Sequence, residues 1–117
     1  MLPEDQEGRL RCYRNALRNW NFRGYVRLTT RAEEWILSEL GVVSREVAHE
    51  LYRHVEAGGE IDEQEERRPE YIAYEFHYDL RVNIGGRRVY FETVLIVDRD
   101  ADDPDDPTIL VVSVHDV

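Results

Sequence analysis

Tyr74-Glu75-Phe76-His77-Tyr78-Asp79-Leu80-Arg81-Val82-Asn83-Ile84, then Gly85-Gly86, then Arg87-Arg88-Val89-Tyr90-Phe91-Glu92-Thr93-Val94-Leu95-Ile96-Val97, is the stretch that decides the fold. From Tyr74 to Ile84 every even position is apolar, and the odd positions between them are Glu75, His77, Asp79, Arg81 and Asn83. A period of two is the signature of a strand with one buried face. Gly85-Gly86 tolerates positive φ at both positions, so a two-residue hairpin joins this strand to the next. Counting outward from the turn pairs Ile84 with Arg87, Val82 with Val89, Arg81 with Tyr90 and Asp79 with Glu92. That register turns Leu80, Val82, Val89 and Phe91 toward the core and gathers His77, Asp79, Arg81, Arg88, Tyr90 and Glu92 on the opposite face.

Upstream of the hairpin the pattern is helical. Leu10, Tyr13, Leu17 and Trp20 recur at three- and four-residue spacing between Glu4 and Trp20, with Arg11, Arg14 and Arg18 beside them. Tyr25 to Thr29 reads as a short strand. A second helix is expected from Thr30, capped by the Thr30/Glu33 spacing, with Ala32, Trp35, Ile36 and Leu40 apolar and Gly41 as its left-handed stop. Ser44 is the expected N-cap of a third helix, which buries Val47, Leu51 and Val55 and ends at Gly58-Gly59. His49 with Arg53 and Glu50 with His54 have the spacing of surface pairs. The two histidines, five apart on different faces, are not expected to share a metal. Glu60 to Glu70 is polar throughout and reads as a loop.

Downstream, Asp98 to Pro107 holds six aspartates and two prolines. Asp98-x-Asp100-x-Asp102 has the opening of a calcium loop, but Asp103 replaces the turn glycine and Ile109 the bidentate glutamate, so a solvated acidic loop is expected. Thr108 to Val114 is apolar at nearly every position, which predicts a strand with neighbours on both edges and cover on both faces. The expected fold class is α+β: three helices packed on one face of a small, largely antiparallel sheet with a Gly85-Gly86 hairpin, all in a single domain spanning 1–117.

No apolar run approaches the roughly 20 residues of a membrane helix, and the acidic start lacks the apolar core of a signal peptide. A soluble, cytoplasmic protein with no membrane partner is expected. The lone Cys12 can form no internal disulfide. Net charge is −10, every one of the 15 basic residues is arginine, and none is lysine. Residues 1–31 hold seven arginines and three acids (7 − 3 = +4), and the remainder holds eight arginines and 22 acids (8 − 22 = −14). Such a chain is not steered toward nucleic acid as a whole, so any RNA contact rests on arginines such as Arg27 and Arg31 near its start.

Asp79 opposite Glu92 is unfavourable unless a cation, an arginine or a shared proton separates the two. Arg81, Arg88 and His77 are the candidates nearby. The cluster reads in two ways: a solvated sheet face, or a site in which His77 or a carboxylate takes a proton from a ribose hydroxyl, Arg81 or Arg88 holds a phosphate and Tyr90 serves the departing oxygen. No resident cofactor or metal is expected, although a metal between Asp79 and Glu92 stays an open alternative.

Val26-Arg27-Leu28-Thr29-Thr30-Arg31, the helix running to Glu39-Leu40-Gly41, and the Val89-Tyr90 pair resemble the MqsR (motility quorum-sensing regulator) toxins, small RNA-cleaving partners of toxin–antitoxin pairs with a RelE-type interferase fold. In element order the resemblance covers roughly residues 10 to 97. It implies that Tyr90 is a functional tyrosine. It also marks departures: Glu92 stands where the family carries a lysine, and His77 falls near a functional glutamine without matching it. Two expectations follow. One is metal-independent RNA cleavage by Tyr90, His77, Arg81 and Arg88, with Arg27, Arg31, Asp79 and Glu92 in binding roles. The other is a non-catalytic relative that binds a basic protein partner through its acidic surface. The oligomeric state is not set by these residues.

Overall fold

The computed structural model describes residues 2–71, 74–97 and 106–117. The order is α1 (Gln6–Arg18), β1 (Val26–Leu28), α2 (Thr30–Leu40), α3 (Ser44–Glu56), β2 (Asp62–Glu65), a 3-10 turn (Pro69–Tyr71), β3 (Phe76–Ile84), β4 (Arg87–Val97) and β5 (Pro107–Asp116). The strands form one sheet in the order β1-β5-β4-β3-β2. All neighbours are antiparallel except β1 and β5, which run parallel. The fold is α+β with a largely antiparallel sheet, as expected, and the single parallel pair β1–β5 makes that sheet mixed.

The β3–β4 register is the one obtained by counting from the turn, with Ile84 opposite Arg87, Val82 opposite Val89, Arg81 opposite Tyr90 and Asp79 opposite Glu92. Gly85 and Gly86 both have positive φ, 57° and 82°, which a primed two-residue turn requires. Tyr78, Leu80, Val82, Val89 and Phe91 therefore meet Tyr13, Ala16 and Leu17 of α1, Ala32 and Ile36 of α2, and Val47 and Leu51 of α3 in one core. Each large side chain buried there stabilises the fold by roughly 1.5–3 kcal/mol. Within that core the Tyr13 hydroxyl lies 2.7 Å from Thr93 Oγ1, which donates in turn to the Tyr78 carbonyl at 2.8 Å. Between Glu92 and Thr93 the pairing with β5 shifts, from Ser113 to Val111, so Val112 is an extra residue in β5. The bulge lets Ile109, Val111 and Val114 all be buried despite their uneven spacing.

Several local expectations are corrected. The cap of α2 is Thr29, whose Oγ1 accepts from the Ala32 N–H at 3.2 Å, and Thr30 is already helical. Likewise Val43, not Ser44, caps α3, with Glu46 accepting from the Val43 N–H at 3.5 Å. In both cases the residue before the expected cap has the extended backbone that a cap needs. Gly41 is the left-handed stop, at φ 67°. His49 stacks on Trp20 with ring centroids 4.7 Å apart, and Arg53 pairs with Glu50 at 3.4 Å. The surface pairs predicted from spacing alone are thus re-sorted by a tertiary contact.

Glu60 to Glu70 is not simply a loop. Its Asp62–Glu65 segment is the edge strand β2, set by pairing with β3 rather than by any apolar pattern of its own. Final strand β5 has neighbours on both edges, but Leu110 and Val112 are only half-buried, so its second face is not fully covered. The acidic run 98–105 lies outside the described residues. No described helix is long and apolar enough to cross a membrane.

Candidate functional site

The site lies on the sheet face opposite the helices and divides into a sealed half and an open half. Asp79 and Glu92 stand in the sealed half, directly across β3 and β4, and are only 6% and 7% exposed. They are not the solvated pair that an outward-facing strand position implies. Their row continues on each side: Asp62 of β2 is opposite Asp79, and Ser113 of β5 is opposite Glu92. Three carboxylates side by side, two of them buried, repel unless positive charge reaches them.

That charge comes from Arg68, beyond the end of β2. Its guanidinium bonds Glu66 through two parallel contacts, Nε to Oε1 at 2.9 Å and Nη2 to Oε2 at 2.8 Å, and reaches Glu92 Oε2 at 3.0 Å. The backbone N–H of Arg68 donates to the same Glu66 Oε1 at 2.9 Å. Glu66 is 1% exposed at its side chain. Its hydrogen bonds to Arg68 overcome burial and hold its pKa well below the ordinary carboxylate value, at about 2, with His77 helping. The same carboxylates raise the Arg68 pKa, so the guanidinium stays charged.

His77 joins Glu66 to Asp79. Its Nδ1 lies 3.0 Å from Glu66 Oε2, and its Nε2 lies 3.6 Å from Asp79 Oδ2. An ionised Glu66 can only accept, so Nδ1 carries a hydrogen and Nε2 is the ring atom turned to Asp79. Burial raises the Asp79 pKa, and Glu92 and Asp62 add to it, while the Tyr90 hydroxyl and His77 act against it. Among the described residues, Asp79 Oδ1 is buried and has no hydrogen-bond partner.

Tyr90 marks the change to the open half. Burial and the adjoining Asp79 carboxyl raise its pKa, so the phenol keeps its proton. Across the sheet it stands between Arg81 on β3 and His115 on β5. The His115 ring stacks on it at 4.6 Å and 20°, and the Arg81 guanidinium lies 5.4 Å from its centroid. Arg81 also reaches Asp62 at 3.7 Å. Arg81, Arg88 and His115 are exposed and Tyr90 is half-buried, so this row is open to a ligand.

The hairpin therefore brings His77, Asp79, Arg81, Tyr90 and Glu92 together, with Arg88 exposed two residues before Tyr90. Arg27 on β1 and Arg31 on α2 are exposed and belong to the other edge of the sheet. Arg9, from the arginine-rich start, is 6% exposed and paired with Glu63 at 2.9 Å. Arg11 and Arg18 stay at the surface beside Glu7 and Glu56. Sequence reasoning missed Glu66, Arg68 and His115. The first two sit in a polar run without periodicity; His115 was within reach, because continuing the register across the next strand places it beside Tyr90.

His77, Asp79 and Glu92 also form a group able to hold a metal ion, one ligand atom from each lying within 4.8 Å of the others. No protein-family model matches the chain, and neither the curated proteins nor the solved structures give a match.

Proposed function

We propose that the protein is a small toxin-like RNA-cleaving domain acting in the cytoplasm, with its chemistry on the row Arg81, Tyr90 and His115. The observation that carries this reading is Asp79: a buried carboxyl with a raised pKa, 3.6 Å from His77 Nε2 and diagonal across the β3–β4 ladder to the half-exposed Tyr90. A perturbed carboxyl beside a surface phenol has the parts of a proton relay.

The phosphate lies over Arg81 and Arg88. The ribose 2′-hydroxyl gives its proton to the Tyr90 oxygen as the Tyr90 proton passes to Asp79. The 2′-oxygen then attacks phosphorus, the bond from phosphorus to the 5′-oxygen breaks, and the leaving oxygen takes a proton from the His115 ring. The products are a 2′,3′-cyclic phosphate and a 5′-hydroxyl. Return of the Asp79 proton through Tyr90 to solvent, with reprotonation of His115, restores the site. Tyr90, His115 and the arginines touch substrate. Asp79, His77 and Glu66 act behind them, and no metal ion takes part.

The test is incubation with mixed-sequence RNA, with and without EDTA. Cleavage should persist in EDTA and fall at least about 100-fold in Tyr90→Phe, the usual scale for a lost proton-transfer group. A folded protein that leaves RNA intact, or a Tyr90→Phe variant of full activity, overturns the reading.

A second reading is supported by β2. This acidic strand, Asp62-Glu63-Gln64-Glu65, is the outermost of the sheet, beside β3, and suits a basic extended segment of a protein partner. It predicts association with a basic peptide that weakens as salt rises; a salt-independent or absent interaction counts against it.

A further inference from the structure

We infer that His77, Asp79 and Glu92 form a binding site for one divalent first-row transition cation, and that the bound cation silences the RNA chemistry of the adjoining row. The second half rests on the functional reading above; the first stands without it.

The geometry of His77 carries the argument. Its Nδ1 is committed to Glu66 at 3.0 Å, which fixes the ring and turns Nε2 toward Asp79. A carboxylate holding the far nitrogen of an imidazole is the arrangement that orients histidine for a metal. Nε2 and Asp79 Oδ2 are 3.6 Å apart, close to the roughly 3.3 Å between two ligands of a tetrahedral ion with bonds of about 2.0 Å. A cation seated between these two atoms would be bonded by both.

Asp79 is the second, independent observation. Its side chain is 8% exposed, and its Oδ1 has no hydrogen-bond partner among the described residues. A buried carboxylate oxygen left in this state is costly, and a cation satisfies it. Glu92 completes the set, with its ligand atom and those of His77 and Asp79 all within 4.8 Å of one another. Arg68 holds Glu92 through Oε2 at 3.0 Å and so orients the third ligand from outside. One imidazole and two carboxylates favour manganese, cobalt or zinc over calcium and magnesium, which take oxygen alone.

The consequence for the row above is direct. A cation bonded to Asp79 occupies the acceptor into which Tyr90 delivers its proton, so the relay stops. The site is thus a brake and not a cofactor centre.

The experiment is titration of the full chain with cobalt and with zinc, read by the visible absorption of cobalt, by calorimetry and by the imidazole NMR signals. One equivalent should bind, His77 should be the histidine among the four whose signals move, and Asp79→Asn should weaken binding at least tenfold. Glu66→Gln, which touches no metal, should weaken it about 10-fold to 100-fold. Absence of binding to the folded protein, unchanged binding in Asp79→Asn, or movement of another histidine instead overturns the site. RNA cleavage is measured separately in the same samples. A wild-type protein that cleaves RNA equally well with zinc saturated overturns the brake and leaves the site intact, whereas a protein that binds zinc but never cleaves RNA overturns the functional reading and the brake together.

Discussion

Asp79 and Glu92 face each other across β3 and β4, buried and of like charge, and the cation that reconciles them comes from Arg68, outside both strands. A hairpin alone does not tolerate this pair. The polar segment between β2 and β3 is therefore part of the site and not a connection around it.

Arg68→Ala tests that dependence. Removing the guanidinium leaves Glu66 and Glu92 without the group that bonds both, and breaking a buried pair from one side costs about 3–5 kcal/mol. The Arg68 side chain is 40% exposed, so solvent reduces this to roughly 2–3 kcal/mol. Urea unfolding should show the loss, and Arg68→Lys should recover only part of it, because lysine cannot make the parallel contacts to Glu66.

Acid should act through Glu66. Its folded pKa is depressed to about 2 from an ordinary 4.5, so the folded state binds its proton less readily than the unfolded chain. The stabilisation is present above pH 4.5 and is lost as pH falls toward 2. For a side chain this buried the window is worth about 3 kcal/mol at most. In Glu66→Gln the wild-type loss of stability between these limits should shrink; an unaltered pH profile would show that Glu66 does not carry it.

Inside the core, Tyr13→Phe and Thr93→Val separate two links of one chain. Thr93 Oγ1 donates to the Tyr78 carbonyl, so the Tyr13 hydroxyl is the donor to Thr93. Tyr13→Phe removes a single bond and should cost about 1 kcal/mol. Thr93→Val strands the Tyr13 hydroxyl and takes a donor from the Tyr78 carbonyl, and should cost about 2–3 kcal/mol. Equal values for the two variants, measured by thermal or urea unfolding, would contradict this order.

How far the sequence reaches is seen in these same residues. The two-residue period and Gly85-Gly86 determine the β3–β4 register, because a slip by one residue would turn buried Leu80 or Phe91 to the open face. With the register came the placement of His77, Asp79, Arg81, Tyr90 and Glu92. Strand β2 was illegible, since Asp62-Glu63-Gln64-Glu65 has no apolar alternation and owes its conformation to a neighbour. Glu66 and Arg68 were hidden with it. The burial of Asp79 was hidden for a related reason: a strand position fixes which face a carboxyl takes, but not whether the side chains around it, His77 among them, close over that face.

Asp79→Asn is the variant in which stability and function should part. The folded pKa of Asp79 is raised, so its contribution to stability is full below the unfolded value and is lost as pH rises through the folded value. Where it is ionised, the carboxylate is a liability to the fold, held against burial, Glu92 and Asp62. Asparagine has the same shape without the charge, and its amide can serve His77 Nε2 as a donor. We expect the variant to unfold at higher urea, by about 1 kcal/mol, the usual return for relaxing a strained functional position. RNA cleavage should fall with it by at least about 100-fold, because the amide accepts no proton from Tyr90. A purely architectural Asp79 makes the opposite forecast, lower stability on substitution. Unfolding curves of the two proteins over a range of pH distinguish the cases, since the gain should vanish at about pH 3, where the carboxyl is already protonated, and grow as pH rises through the raised folded value.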